Sequence, residues 1–390
     1  GVDNSQLTIA TKAADFTGLT VAGATVDDVT INASGKVTLT ASSNDGDLTV
    51  NAAGDVTITD ADAAAGTVSL TSTGKYNIDG LEAAKSVTVS GVGTGTTNKS
   101  DWTEGDNTAA LETLSVSGNG GAFEINLAEA DFTALKTVNF TGSQDAKVTV
   151  GLADVTGRQL PVTDSTTAGT TTFDFGGTKN DVDVSKIGAD LINFSVSNDG
   201  KSITVASGQA ITFAVDQAAT ATVTAAAATA ATNTATVNLA DDATTGSAVD
   251  ATMTATNIKT LTINANDTET ANKLTSLNVG ATNDVIVNSS GKGVQFATEI
   301  TANKLTLNTA SDTTIAATAL KILDASGSSG KIAATATATL NNLSGGSAAD
   351  TFTIAAEDVT IDGNGGNDIV DFDTLDLSGK NVTLSDVEIL

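Results

Sequence analysis

The chain has 390 residues, with 18 Lys and Arg against 46 Asp and Glu and no His, a formal net charge of −28; so acidic a surface repels nucleic acid and anionic lipid and attracts cations. With 40% hydrophobic residues and only 16% charged, the composition excludes a disordered acidic tail. The lack of His and Cys excludes disulfides, thiolate metal sites, an HExxH zinc site and the commonest general base.

No run of 18 apolar residues predicts a membrane span, so no membrane insertion is expected, and no basic and apolar leader opens the chain. Gly1 in place of Met predicts a processed chain or a segment of a longer one. Aromatic residues make up only 3%, so the predicted core is Val, Ile, Leu, Ala and the methyl of Thr, which suits thin stacked sheets.

In chain order, residues 1–100 repeat a short phrase: "DVTINASG", "KVTLTASS", "DLTVNAAG", "DVTITDAD", "TVSLTSTG", "SVTVSG". Each predicts a strand of alternating apolar and hydroxyl or amide residues closed by a turn. First inward residues recur at 18, 19 and 20 (Leu19, Val37, Val56, Tyr76), and an interleaved set at 19, 20 and 19 (Val29, Leu48, Val68, Val87). Two strands per nineteen-residue period predict an all-β chain, an elongated parallel β-solenoid whose coils bury their inward faces against one another. An antiparallel sandwich has no reason to hold its strand spacing so evenly.

Residues 101–160 carry a second phrase, "LETLSVSG" and "LKTVNFTG", 24 residues apart. Between them "NLAEADFTAL", with Leu127, Asp131, Ala134 and Leu135, predicts a short helical turn. Pro161 marks a boundary before an Ala/Thr-rich domain, 161–257, in which Thr at nearly every second position favours strands with an irregular tip. Residues 258–390 return to solenoid phrases and end in a Gly/Asp-rich stretch.

That stretch divides into nines: GGSAADTFT (345–353), IAAEDVTID (354–362) and GNGGNDIVD (363–371). Asp350 and Asp368 share position six, 18 residues apart, and Phe352 and Val370 share the inward position eight. The register resembles the calcium-binding nonapeptide repeats of RTX proteins, in which two nonapeptides form one coil of a β-roll. It departs from them at Ala348, at Asn364 and throughout the middle repeat. The resemblance implies Ca2+ between Asp350 and Asp368, with supplementary carbonyl ligands from Gly345, Ser347, Gly363 and Gly365. Calcium takes six to eight oxygens at about 2.3–2.6 Å, and glycines let carbonyls bend toward it. The alternative is a set of Gly/Asn turns with solvated aspartates.

Other acidic pairs could add oxygens: Asp371 with Asp373, Asp45 with Asp47, Asp181 with Asp183, and also Asp60 with Asp62 and Asp241 with Asp242. Singly, such pairs are commonly solvated turns. A carboxylate-only glycosidase is the one enzyme class the composition leaves, but a sugar cleft wants aromatic platforms and the chain has one Trp and one Tyr. No enzyme activity is expected.

A Cys-free, acidic, Thr/Ala/Asn/Val-rich repeat chain ending in degenerate nonapeptides is similar to the surface-layer proteins that Gram-negative bacteria export by type I secretion. The resemblance implies an extracellular, cell-surface protein that self-associates into a calcium-dependent lattice or filament, with cell-surface polysaccharide as a second partner. The alternative function is an adhesin or matrix-binding stalk.

Overall fold

A computed structural model describes residues 6–11, 15–21, 27–42, 46–59, 66–78, 81, 83–91, 99–102, 110–118, 123–127, 134–143, 145–151, 159–177, 179–198, 200–226, 231–240, 248–267, 270–297, 300–315, 319–372 and 381–388. Alternating β-branched residues give strands throughout, and among the described residues there is no helix. The strands run parallel and each pairs with one a coil away, which is a β-solenoid. The chain divides into two compact units, Gly1–Thr178 with Val182–Asn193, and Lys179–Asp181 with Phe194–Leu390.

The first unit carries an eight-stranded parallel sheet, from Gln6–Thr11 through Asp28–Ala33, Leu48–Ala52, Thr67–Ser72, Ser86–Gly91, Thr113–Gly118 and Thr137–Gly142 to Val162–Asp164. Its register stacks Val29, Leu48, Val68, Val87, Leu114, Val138 and Val162 in one column, all buried. Each such side chain contributes about 1.5–3 kcal/mol by leaving water. A second column runs Ile31, Val50, Leu70, Val89, Val116 and Phe140. The interleaved strands, such as Lys36–Ser42, Val56–Ile58 and Tyr76–Ile78, form the opposing face.

Five of the six sequence spacings are register pairs. The sixth is corrected: Val37 pairs with Phe16, and Leu19 pairs with Leu39 across a register shift in Asp15–Val21, so the extra residue is absorbed in the strand. The helical turn is corrected in part. Leu127 belongs to the strand Phe123–Leu127, opposite Val150, and residues 128–133 lie outside those described. Pro161 leads directly into Val162–Asp164, and its carbonyl accepts the Val138 N–H at 3.0 Å.

In the second unit the Ala/Thr-rich region forms the strands Gln217–Ala225, Thr234–Leu239 and Ala251–Thr256. The 18-residue strand Asn272–Ser289 serves two files of strands: its first half pairs with Ala251–Thr256 and its second with Thr260–Ala265. Gly280, at φ +85°, lets it bend between them. A third file stacks Thr313–Ile315, Ile332–Ala336, Thr351–Ile354 and Ile369–Asp371. This file, with the neighbouring strands Asn342–Ser344 and Val359–Asp362, positions the Gly/Asp-rich loops.

Candidate cation site

The loops 345–350 and 363–368 lie one coil apart, because Ser344 pairs with Asp362 on one side and Phe352 with Val370 on the other. Both are 18 residues apart in sequence, so the nonapeptide register is a true structural register. Main-chain bonds stack the loops: Gly345 N–H donates to Asp362 O at 2.8 Å, and Gly365 N–H donates to Gly346 O at 3.0 Å. Phe352 and Val370 are fully buried beneath them and fix their height.

The position-six carboxylates form a column, each reaching one coil back. Asp350 Oδ1 accepts the Ile332 N–H, Asp368 Oδ1 accepts the Asp350 N–H, and Glu388 Oε2 accepts the Asp368 N–H, each at 2.7 Å. Asp350 and Asp368 are both 0% exposed. Burial, above all, pushes both carboxyls above the usual carboxylate range. For Asp350 the N–H groups of Ile332 and Gly346 and the charge of Lys331 pull the other way. For Asp368 the Asp350 N–H opposes the rise, while the negative charges of Asp350, Glu388 and Asp386 add to it.

The two aspartates differ in their second oxygen. Asp350 Oδ2 accepts the Gly346 N–H at 2.7 Å, so its acceptors are both in use. At the corresponding place Asn364 replaces glycine, sits at φ +65°, and gives its N–H to Asp362 Oδ1 at 3.3 Å. Asp368 Oδ2 is consequently buried with no hydrogen-bond partner. A carboxylate oxygen in that state costs on the order of 1–3 kcal/mol or more unless a proton or a cation compensates it.

Of the remaining predicted ligands, the Gly345 carbonyl accepts from Asn364 Nδ2 at 2.8 Å, and Gly363 O would lie 2.7 Å from a Cβ on Gly345. Ser347 and Gly365 occupy successive coils, with Ser347 N–H bonded to Ser328 O. Asp371 ends the strand Ile369–Asp371 at the surface. Asp47 accepts the Thr67 N–H and donates its own to Asp28; Asp181 accepts the Ser202 N–H; Asp183 accepts from Ser185 N–H and Gln159 Nε2. Asp45, Asp373, Asp60, Asp62, Asp241 and Asp242 lie outside the described residues. Among the described residues no three side chains of His, Cys, Asp or Glu converge into a ready-made cation cage.

Glu388 is the rung that the sequence pattern misses. It stands 20 residues after Asp368 rather than 18, outside any nonapeptide, and its longer side chain spans the shorter loop. A second column of the same design is built from neutral amides: Asn198 Oδ1 accepts the Asn180 N–H and Gln217 Oε1 accepts the Asn198 N–H, both at 2.9 Å, with Asn198 and Gln217 buried. Stacking therefore does not require carboxylates. Set against protein-family models, curated proteins and solved structures, the chain matches none of them.

Proposed function

We propose that the chain is a structural protein of the cell exterior, a β-solenoid stabilised by calcium and drawn by it into a lattice or filament. The observation that carries this reading is the contrast between the two columns. Amides stack coils at 198 and 217, yet the column at 350, 368 and 388 uses carboxylates. Buried charge is costly, and a hard cation is what recovers that cost with oxygen ligands. Asp368, with its unpartnered oxygen, fits a calcium ion; Asp350, with both oxygens held by N–H groups, serves as the rung that places it.

The charge of −28 supports the step from ion to assembly, since like-charged copies approach only where cations offset the repulsion. With a dissociation constant near that of extracellular calcium modules, about 10⁻⁴ M, millimolar calcium stabilises the bound form by roughly 1.4 kcal/mol per site. Repeated over several sites and contacts, that decides whether copies associate. The resemblance to type I exported surface-layer proteins and the cell-surface polysaccharide partner belong to the same reading.

Electron microscopy and sedimentation of the purified chain test it. Ordered assemblies should form with calcium, disperse with a chelator, and fail to reform with equal magnesium, which demands tighter octahedral geometry and keeps its waters. Assemblies that persist under chelation sink the reading. A chain that stays monomeric in calcium favours the adhesin stalk.

A further inference from the structure

The free oxygen of Asp368 points away from Asp350 and toward the next coil. A Cβ on Gly363 would lie 2.4 Å from Asp368 Oδ2 and 2.0 Å from the main-chain oxygen of Asp386. Those two oxygens are therefore within 4.4 Å of one another, the sum of the two distances. Two ligand oxygens on one calcium ion are at most about 5 Å apart, twice the metal–oxygen distance. Only glycine leaves this space open. Asp386 holds φ at +48°, uncommon for a residue with a side chain, while Ser385 O accepts the Gly363 N–H at 3.0 Å and anchors the turn. Glu388 completes the arrangement from the solvent side: its Oε2 holds the Asp368 N–H at 2.7 Å, its own N–H reaches Asp368 O at 3.3 Å, and the residue is exposed.

We infer that a divalent-cation site lies one coil beyond the nonapeptide pair, formed by Asp368 Oδ2, the Asp386 main-chain carbonyl and the Glu388 carboxylate, and that ion binding fastens residues 386–388 to the loop 363–368. All three donors are oxygens, two are anionic, and the turn is irregular, a set that suits calcium and leaves the remaining positions to water. The inference deepens the calcium reading above and shifts its ion from between Asp350 and Asp368 to the opposite side of Asp368. The burial and like-charge neighbours that raise the Asp368 carboxyl act in the same direction, since an ion relieves both.

The test is calorimetric titration of the full chain with calcium chloride, comparing wild type with Glu388→Gln, Asp350→Asn and Asp368→Asn. Glu388→Gln keeps an acceptor for the Asp368 N–H and removes only charge at an exposed position, so its fold should be unchanged. It should weaken one site roughly tenfold, through the loss of an anionic ligand. Asp368→Asn should abolish that site, while Asp350→Asn should leave it within about twofold. Calcium should also slow amide exchange at Glu388 in the wild type but not in Glu388→Gln. Titrations in which Glu388→Gln binds like wild type, or in which Asp350→Asn removes the site, overturn the inference, as does a wild type that binds no calcium. If this site binds while assembly ignores calcium, the surface-layer reading fails and the site stands. If assembly needs calcium but Glu388→Gln titrates unchanged, the site alone fails.

Discussion

Phe352 shows how much one side chain can hold. It is fully buried, stacked between Ala334 and Val370, directly beneath the loop that carries Asp350. Phe352→Ala should cost about 3–5 kcal/mol by cavity formation, read from denaturant unfolding of the second unit. A loss below about 1 kcal/mol would mean that the column collapses to fill the gap. At the acidic rungs the effect of pH depends on the partner. The main-chain N–H of Lys75 foremost holds the Asp55 carboxyl below its ordinary 3.8, opposed by partial burial and helped by Lys36, whose Nζ lies 3.2 Å away. A depressed acid stabilises the fold above its unfolded value and loses that contribution as pH falls through its folded value. The stability gap between wild type and Asp55→Asn should therefore be open at neutral pH and close below about pH 3.8. A gap that stays constant to lower pH would show that the amide and the carboxylate bind the Lys75 N–H equally.

Along the strands, a ladder of asparagines joins four coils of the second unit: Asn264 Nδ2 donates to Asn238, Asn288 to Asn264 and Asn308 to Asn288, at 2.8, 3.0 and 2.9 Å. Asn264→Ala removes two of these bonds at once and should cost about 1–3 kcal/mol, seen as a lowered denaturation midpoint with unchanged slope. This ladder was hard to read in the sequence because its steps are 26, 24 and 20 residues. The alternation within each phrase and the nineteen-residue coils of the first hundred residues were legible, since equal loops turn structural register into equal spacing. Where loops differ in length the register survives and the spacing does not, because only the inward apolar residues and the ladder side chains need to align. The same reason hid Glu388, two residues out of step, and misplaced the partner of Val37, where a strand irregularity took up the slack. The calcium pattern was legible as an 18-residue echo, but nothing in it separates Asp350 from Asp368. That difference comes from the φ of Asn364, which turns one N–H away.

At the scale of the whole chain, circular dichroism should show strand signal with helix far below the ordinary globular third, and calcium should raise the thermal midpoint of wild type more than equal magnesium does. Equal shifts from the two ions would point to general screening of the −28 charge. The coil-to-coil register has a further consequence for how the protein acquires its structure. In the strand pairs described, partners stand 18 to 27 residues apart, as between Asp350 and Asp368's coils or between Val87 and Leu114. Against 390 residues that is a relative contact order of about 0.05–0.07, within or below the range of fast-folding helical bundles although the secondary structure is all strand. Each coil needs only its predecessor as a template, so order can spread like a closing zipper from any coil that forms first. A segment of some twenty-five residues emerging from a pore already carries enough chain to add one rung, and a cation-held rung would serve as the seed from which the rest is laid down.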